Sequence, residues 1–148
     1  MKLKFLAVLM LSLLLFGCGS QNNDKPLSYG ELLDLKESCV EYNEDASCKD
    51  MVLVIKAKIT SSLTNKMTID QNYYNVFDYI NNHKDSINKF ERIDYWAVAD
   101  MASGDESKVI SFEIDTATIQ SVIDKKVITA QQLGENVNNL WIHPSLNN

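Results

Sequence analysis

The chain has 148 residues, of which 45% are hydrophobic and 23% charged, and its formal net charge is −6. This length is enough for one domain with a sizeable core and too short for two. Nucleic-acid binding relies on clustered lysine and arginine that neutralise phosphates, whereas here Arg92 is the only arginine and acidic residues outnumber basic ones by 20 to 14. The composition therefore argues against nucleic acid as a partner.

Residues 1–17 have the pattern of a secretory signal, with a basic start followed by an apolar run from Phe5 to Phe16. The run is too short to span a bilayer, since a spanning helix needs about 20 residues. It ends in Leu15-Phe16-Gly17-Cys18, which resembles the lipobox of bacterial lipoproteins. The alternative is a signal peptide in which Cys18 merely happens to lie near the end.

The lipobox resemblance implies that residues 1–17 are cleaved off and that Cys18 becomes an acylated first residue. Two or three long acyl chains, such as palmitate, hold a protein stably on a membrane. We therefore expect a protein anchored in the cell membrane and facing away from the cytoplasm. Abundant asparagine and lysine with scarce arginine are typical of a low-GC genome, which favours a Gram-positive source.

After the anchor, residues 18–26 are expected to form a polar tether and residues 27–148 a single globular domain. Without the signal the chain loses two lysines and no acidic residue, so its formal charge falls to about −8. An acidic body is repelled by an anionic membrane, and a charged partner for it is expected to be cationic. The domain is predicted to open with a helix from Ser28 to Lys36, because Ser28 and Glu31 form a capping box.

Cys39 and Cys48 are the two cysteines that remain once Cys18 is acylated. Paired cysteines in an exported domain usually oxidise, so we predict a structural disulfide between them. The spacing is not that of a Cys-x-x-Cys redox motif, and a zinc site would need two further ligands with no histidine nearby. We therefore expect neither a metal nor a cofactor.

Hydrophobic periodicity predicts the elements that follow. They are a strand at Met51–Thr60, a helix around Tyr73–Ile80, a hairpin of Ile93–Met101 and Lys108–Ile114, a helix at Ile119–Ile123 capped by Asp115 or Thr116, and a helix that begins at Thr129. The tail around Trp141 fits either a continuation of that last helix or a closing edge strand. Together these predict a small α+β domain, with an antiparallel sheet of three to five strands and short helices on one face. An OB-like barrel is the alternative.

The chain contains no His-Glu-x-x-His, Gly-x-Ser-x-Gly or phosphate-cradling glycine motif. Its histidines, His83 and His143, lie far apart in sequence, and nothing indicates a cleft between the carboxylates of Asp100 and Asp105, as a glycosidase would require. We therefore predict that the domain is not an enzyme.

Aromatic residues are the better lead to a binding site. Tyr74 is predicted to lie outside the apolar face of its helix, and Trp96 to share one face of its strand with Asp94 and Asp100. Exposed aromatic rings beside carboxylates suit recognition of a cationic partner. The alternative is that Trp96 only packs within the core or at the edge of the sheet.

These features predict a non-catalytic surface lipoprotein that binds an envelope or extracellular protein or peptide. In lipobox, size and acidity the chain resembles immunity factors against secreted peptides and exclusion factors of phages or conjugative elements. The alternative function is an envelope enzyme, or an inhibitor of one, that acts on wall polymers.

Overall fold

The computed structural model describes residues 27–147, in which a single sheet of five strands is accompanied by four helices. The elements are β1 (Glu31–Tyr42), β2 (Cys48–Lys58), α1 (Asn65–Asn82), α2 (Lys84–Ile87), β3 (Arg92–Asp100), β4 (Glu106–Asp115), α3 (Thr116–Ile123), α4 (Ala130–Gly134) and β5 (Asn138–Ile142), followed by a 3-10 turn at Pro144–Leu146. The predicted α+β class with a small sheet is confirmed. None of the helices in this range is long and apolar enough to cross a bilayer.

The strands follow one another across the sheet in the order β1-β2-β3-β4-β5. Three of the four pairs are antiparallel, but β2 and β3 are parallel, because α1 carries the chain back to the starting end of β2 before β3 begins. The sheet is therefore mixed, which corrects the all-antiparallel arrangement expected from the sequence. Since β1 and β5 are its outer strands, the sheet is open and does not close into the OB-like barrel.

The first predicted helix is wrong, because the segment after Gly30 is the edge strand β1. Ser28 does not cap a helix; its hydroxyl donates to Asp78 Oδ2 at 2.6 Å. Gly30 has a φ of +83°, and a Cβ there would lie 2.2 Å from the carbonyl oxygen of Lys58. This turn directs the chain alongside β2, and pairing with β2 then outweighs the local preference for a helix.

The disulfide between Cys39 and Cys48 is present, with a Cα–Cα distance of 5.8 Å. The two cysteines lie on the paired strands β1 and β2, close to the hairpin turn. Asn43 N donates to the Ser47 carbonyl across that turn at 2.9 Å. The predicted cross-link therefore joins the two strands at one end of the sheet.

The helices and one face of the sheet share a single hydrophobic core. Alternate strand residues meet the apolar sides of α1, α3 and α4, so that face of the sheet is fully covered. The members of this core with the lowest exposure include Ile55, Ile93, Tyr95, Ile110, Phe112 and Ile114 from the strands and Val76, Ile80, Ile119, Val122 and Leu133 from the helices.

Several local predictions are confirmed at the element ends. Gly104 in the β3–β4 turn has a φ of +88°, and Asp115 caps α3 by accepting from the Thr118 amide. Thr129 caps α4. The tail around Trp141 forms the edge strand β5, the second of the two predicted alternatives.

Candidate binding face of the sheet

The face of the sheet opposite the helices, here called the open face, carries no helix among residues 27–147, although two of its side chains, Val52 and Val98, are buried. Because side chains alternate along a strand, the residues between the core positions of β3 point to this face. They are Asp94, Trp96, Val98 and Asp100. Trp96 is 46% exposed, so the prediction that helices cover the Tyr95 face and leave Trp96 outside agrees with this arrangement.

A second tryptophan lies in the same row of the open face. In the strand register Trp96 is opposite Ser111 of β4, and Ser111 is opposite Trp141 of β5. Trp141 is 41% exposed, and its ring meets that of His143 edge to face. Since serine is small, the two indole rings flank a low point in the sheet surface.

Lys108 reaches across this low point. Its Nζ lies 5.8 Å from the ring centroid of Trp96 and 5.0 Å from that of Trp141, within the range of a cation–π contact. We call these three residues the Trp96–Lys108–Trp141 cluster. Among the described residues no carboxylate lies within ion-pair distance of Lys108, in contrast to Lys56 and Lys58 on the same face.

A β-bulge places Lys108 on the open face. Ala97 pairs with Ile110 and Val98 with Lys108, so Val109 is an extra residue on β4. The two bulged residues, Val109 and Ile110, both point into the core, as is usual at such a bulge. Lys108 therefore points to the opposite side, instead of sharing the core side with Ile110 as strict alternation would require.

The carboxylates predicted to surround Trp96 already have partners. Arg92 Nε donates to Asp94 Oδ1 at 2.8 Å, and Lys58 Nζ donates to Asp100 Oδ1 at the same distance. These hydrogen bonds raise the pKa of both the Arg92 guanidinium and the Lys58 ammonium. The cation over the Trp96 ring is that of Lys108, whereas Asp94 and Asp100 are held in ion pairs.

Tyr74 lies on the helix side of the molecule, so the structure does not bring it together with Trp96. Its ring is 42% exposed and meets the Tyr29 ring edge to face, at 5.5 Å between centroids. Both rings line a cavity of about 350 Å³ between α1 and the start of α4. Tyr74 and Trp96 therefore belong to different surfaces.

The sequence predictions missed Lys108 and Trp141 as site residues. Lys108 reaches the open face because of a register shift in β4, and the sequence pattern does not reveal that shift. Trp141 was recognised only as part of an uncertain helix or strand. The predicted closing edge strand placed Trp141 at the edge of the sheet, and only that prediction indicated an exposed ring.

The two histidines make structural contacts. His83 Nδ1 lies 2.9 Å from the Tyr79 carbonyl oxygen, and His143 Nδ1 lies 2.8 Å from Ser145 Oγ. Within residues 27–147, no group of three or more histidine, cysteine or acidic side chains is arranged to hold a metal ion. The Trp96–Lys108–Trp141 cluster presents a cation beside two indole rings. This arrangement suits reversible binding of a ligand.

No protein-family model, curated protein or solved structure matches this chain. The class that the fold and site define is a small α+β domain with an uncovered sheet face. On that face a lysine lies between two half-exposed tryptophans.

Proposed function

We propose that this chain is a lipid-anchored extracytoplasmic binding protein without catalytic activity, which contacts its partner through the open face of the sheet. The observation that carries this proposal is the Trp96–Lys108–Trp141 cluster. Tryptophan is enriched among the residues that dominate binding energy at interfaces, and both tryptophans of the chain lie in this cluster. A folded domain gains nothing in stability from leaving two large rings half in water.

The strands hold this surface in a defined shape. Trp96 and Trp141 are on paired strands, and Lys108 is held by its contacts with both rings. Side chains ordered before binding lose less entropy when a ligand arrives. The cluster therefore resembles a preformed contact surface rather than an accidental exposure of apolar residues.

The anchor belongs to the same proposal. Residues 1–26, which contain Cys18, lie outside the described residues, so the lipobox remains a sequence prediction. Leu27 packs against the core, so an anchored Cys18 would be separated from the domain only by the residues 19–26. An acylated Cys18 would then hold the domain near the outer surface of the membrane.

Lipidation is tested by growing producing cells with radiolabelled palmitate. We expect label in the wild-type chain and none in Cys18→Ser. Label that persists in Cys18→Ser would remove the anchor from the proposal.

The binding surface is tested with a photo-crosslinking aromatic amino acid placed at position 96 or at position 74 in intact cells. The two positions are a matched pair, because Trp96 and Tyr74 are similarly exposed but lie on opposite sides of the sheet. We expect a discrete adduct from position 96, weakened by Trp141→Ala, and none from position 74. Adducts from position 74 alone, or from neither position, would refute the open face as the binding surface.

A further inference from the structure

We propose that the ligand of the Trp96–Lys108–Trp141 cluster is an acidic glycan, bound with sugar rings against the indoles and an anionic group against Lys108. This inference rests on the proposed function, because it names the ligand class of the same surface. It follows from three features of the cluster: the unpaired cation, the two indole rings beside it and the polar residues around it.

The first feature is that Lys108 is a cation without a carboxylate partner among the described residues. Its neighbours on the face show how such charges are normally satisfied: Lys58 pairs with Asp100, and Lys56 Nζ lies 3.6 Å from Glu106 Oε2. The two rings hold the Lys108 ammonium by cation–π contacts and leave its N–H groups available. A carboxylate or phosphate on a ligand is the group that gives such a donor a charge-assisted hydrogen bond.

The second feature is the pair of indole rings on either side of that cation. An aromatic face carries partial negative charge and attracts the slightly positive C–H edge of a neighbouring group. The flat face of a pyranose presents several such C–H groups while its hydroxyls remain in water. Since Lys108 Nζ is 5.0 Å from one ring centroid and 5.8 Å from the other, the two rings lie close enough for one short oligosaccharide to contact both.

The third feature is the polar surround of the cluster. Ser111 lies between the two tryptophans in the register, and Lys56, Glu106 and Glu113 border them on the same face. These side chains can exchange hydrogen bonds with sugar hydroxyls. The buried core of a protein–protein interface is depleted in charged residues, whereas here Lys108 lies between the two tryptophans.

The same charges argue against the other occupants of an aromatic and basic surface. Recognition of an anionic bilayer relies on clustered lysines and arginines, whereas Lys56, Lys58 and Arg92 on this face are already paired with carboxylates. A second copy docked by two-fold symmetry would present the same patch to itself and would bring one Lys108 towards the other. An acidic glycan meets the unpaired cation of the cluster and leaves the paired acids in water.

The test uses intrinsic fluorescence of the mature acylated chain in detergent micelles, because its only two tryptophans are in the cluster. A soluble oligogalacturonate is titrated against the uncharged oligosaccharide of the same length. We expect the acidic sugar to change the emission saturably, with an affinity that falls as salt is added. Lys108→Gln should weaken its binding about tenfold, the usual effect of losing one charge-assisted hydrogen bond, and should leave weak binding of the neutral sugar unchanged.

Lys66→Gln is the matched control, since Lys66 is an exposed lysine on α1, on the other side of the sheet. It should bind the acidic sugar as the wild type does. Equal binding by Lys108→Gln and wild type, no response to the acidic sugar, or a response only to anionic vesicles would overturn the glycan assignment. If crosslinking from position 96 persists after such a result, the open face is still the binding surface and only the ligand class is wrong.

Discussion

The phenol of Tyr95 makes a specific prediction about stability, because it is the centre of the one buried polar network between α1 and the sheet in the described part of the chain. Its hydroxyl donates to Asn72 Oδ1 at 2.7 Å and accepts from Asn75 Nδ2 at 3.2 Å. Asn75 also exchanges two hydrogen bonds with the backbone of Tyr29. The network therefore ties the start of the domain, the long helix and the central strand together.

Tyr95→Phe removes the hydroxyl and leaves the ring stacked on Phe112, whose centroid is 4.8 Å away, so no large cavity forms. The main loss is at Asn72, because its buried Oδ1 is left without a donor, which costs about 1–3 kcal/mol. Asn75 Nδ2 still donates to the Tyr29 carbonyl oxygen. We therefore expect the free energy of unfolding to fall by about 2 kcal/mol, which corresponds to a loss of about 5–10 °C in Tm.

Urea unfolding followed by circular dichroism measures this difference. Tyr74→Phe is the matched control, because the Tyr74 ring is half exposed, and its unfolding free energy should change by less than about 0.5 kcal/mol. If the free energy of unfolding of Tyr95→Phe also changes by less than this margin, the hydrogen-bond network does not stabilise the fold as argued. An unchanged m-value would show that the comparison concerns the same folded and unfolded states.

Alkaline pH gives an independent check on the same residue. Burial raises the pKa of the Tyr95 phenol above its usual value, so the folded state keeps a proton that the unfolded state releases above about pH 10. The contribution of Tyr95 is fully present below that pH and is lost as the pH rises further. The stability difference between wild type and Tyr95→Phe should therefore shrink above about pH 10, and a constant difference would contradict this account.

Three further predictions concern separate parts of the fold. Gly134→Ala should lower the unfolding free energy in urea by about 1–3 kcal/mol, because the new Cβ would lie 2.6 Å from ring atoms of Tyr73; an unaffected variant would show that the ring moves freely. Reducing the disulfide, or changing both Cys39 and Cys48 to serine, should cost about 2–3 kcal/mol, and reductant should have no effect on the double variant. Asp115→Ala should cost about 1 kcal/mol near neutral pH through loss of the helix cap; because hydrogen bonds to the α3 amides lower the pKa of this carboxyl, the deficit should shrink as acid protonates it, and a pH-independent deficit would refute this.

Elements whose signals are local were predictable from the sequence. The hairpin of β3 and β4 follows from two alternating runs around Gly104, which takes the positive φ that the turn needs. The caps at Asp115 and Thr129 follow from side chains that accept from an amide within the next turn. In each case the residues that determine the structure are within a few positions of one another.

β1 shows where local signals fail. Ser28 and Glu31 have the spacing of a capping box, and leucines follow at helical intervals, but the segment pairs with β2 along its length. The disulfide joins the far ends of these strands, and the positive φ of Gly30 fits the chain against the backbone of Lys58. The disulfide was predictable from the cysteine count, but the strand pairing and the approach of Gly30 to Lys58 involve residues farther along the chain, so a local helix signal does not reveal them.

The candidate binding surface contains one residue that the sequence pattern predicts and one that it does not. Trp96 was predictable, because alternation along β3 and the covered Tyr95 face leave it outside. Lys108 was not, since strict alternation from Ile110 would direct it towards the helices, and only the bulge at Val109 reverses it. The acids that suggested a cationic partner are paired with Arg92 and Lys58, and the charge that the bulge places over the Trp96 ring is the cation of Lys108. One extra residue in one strand thus places a cation, instead of the expected carboxylates alone, beside Trp96.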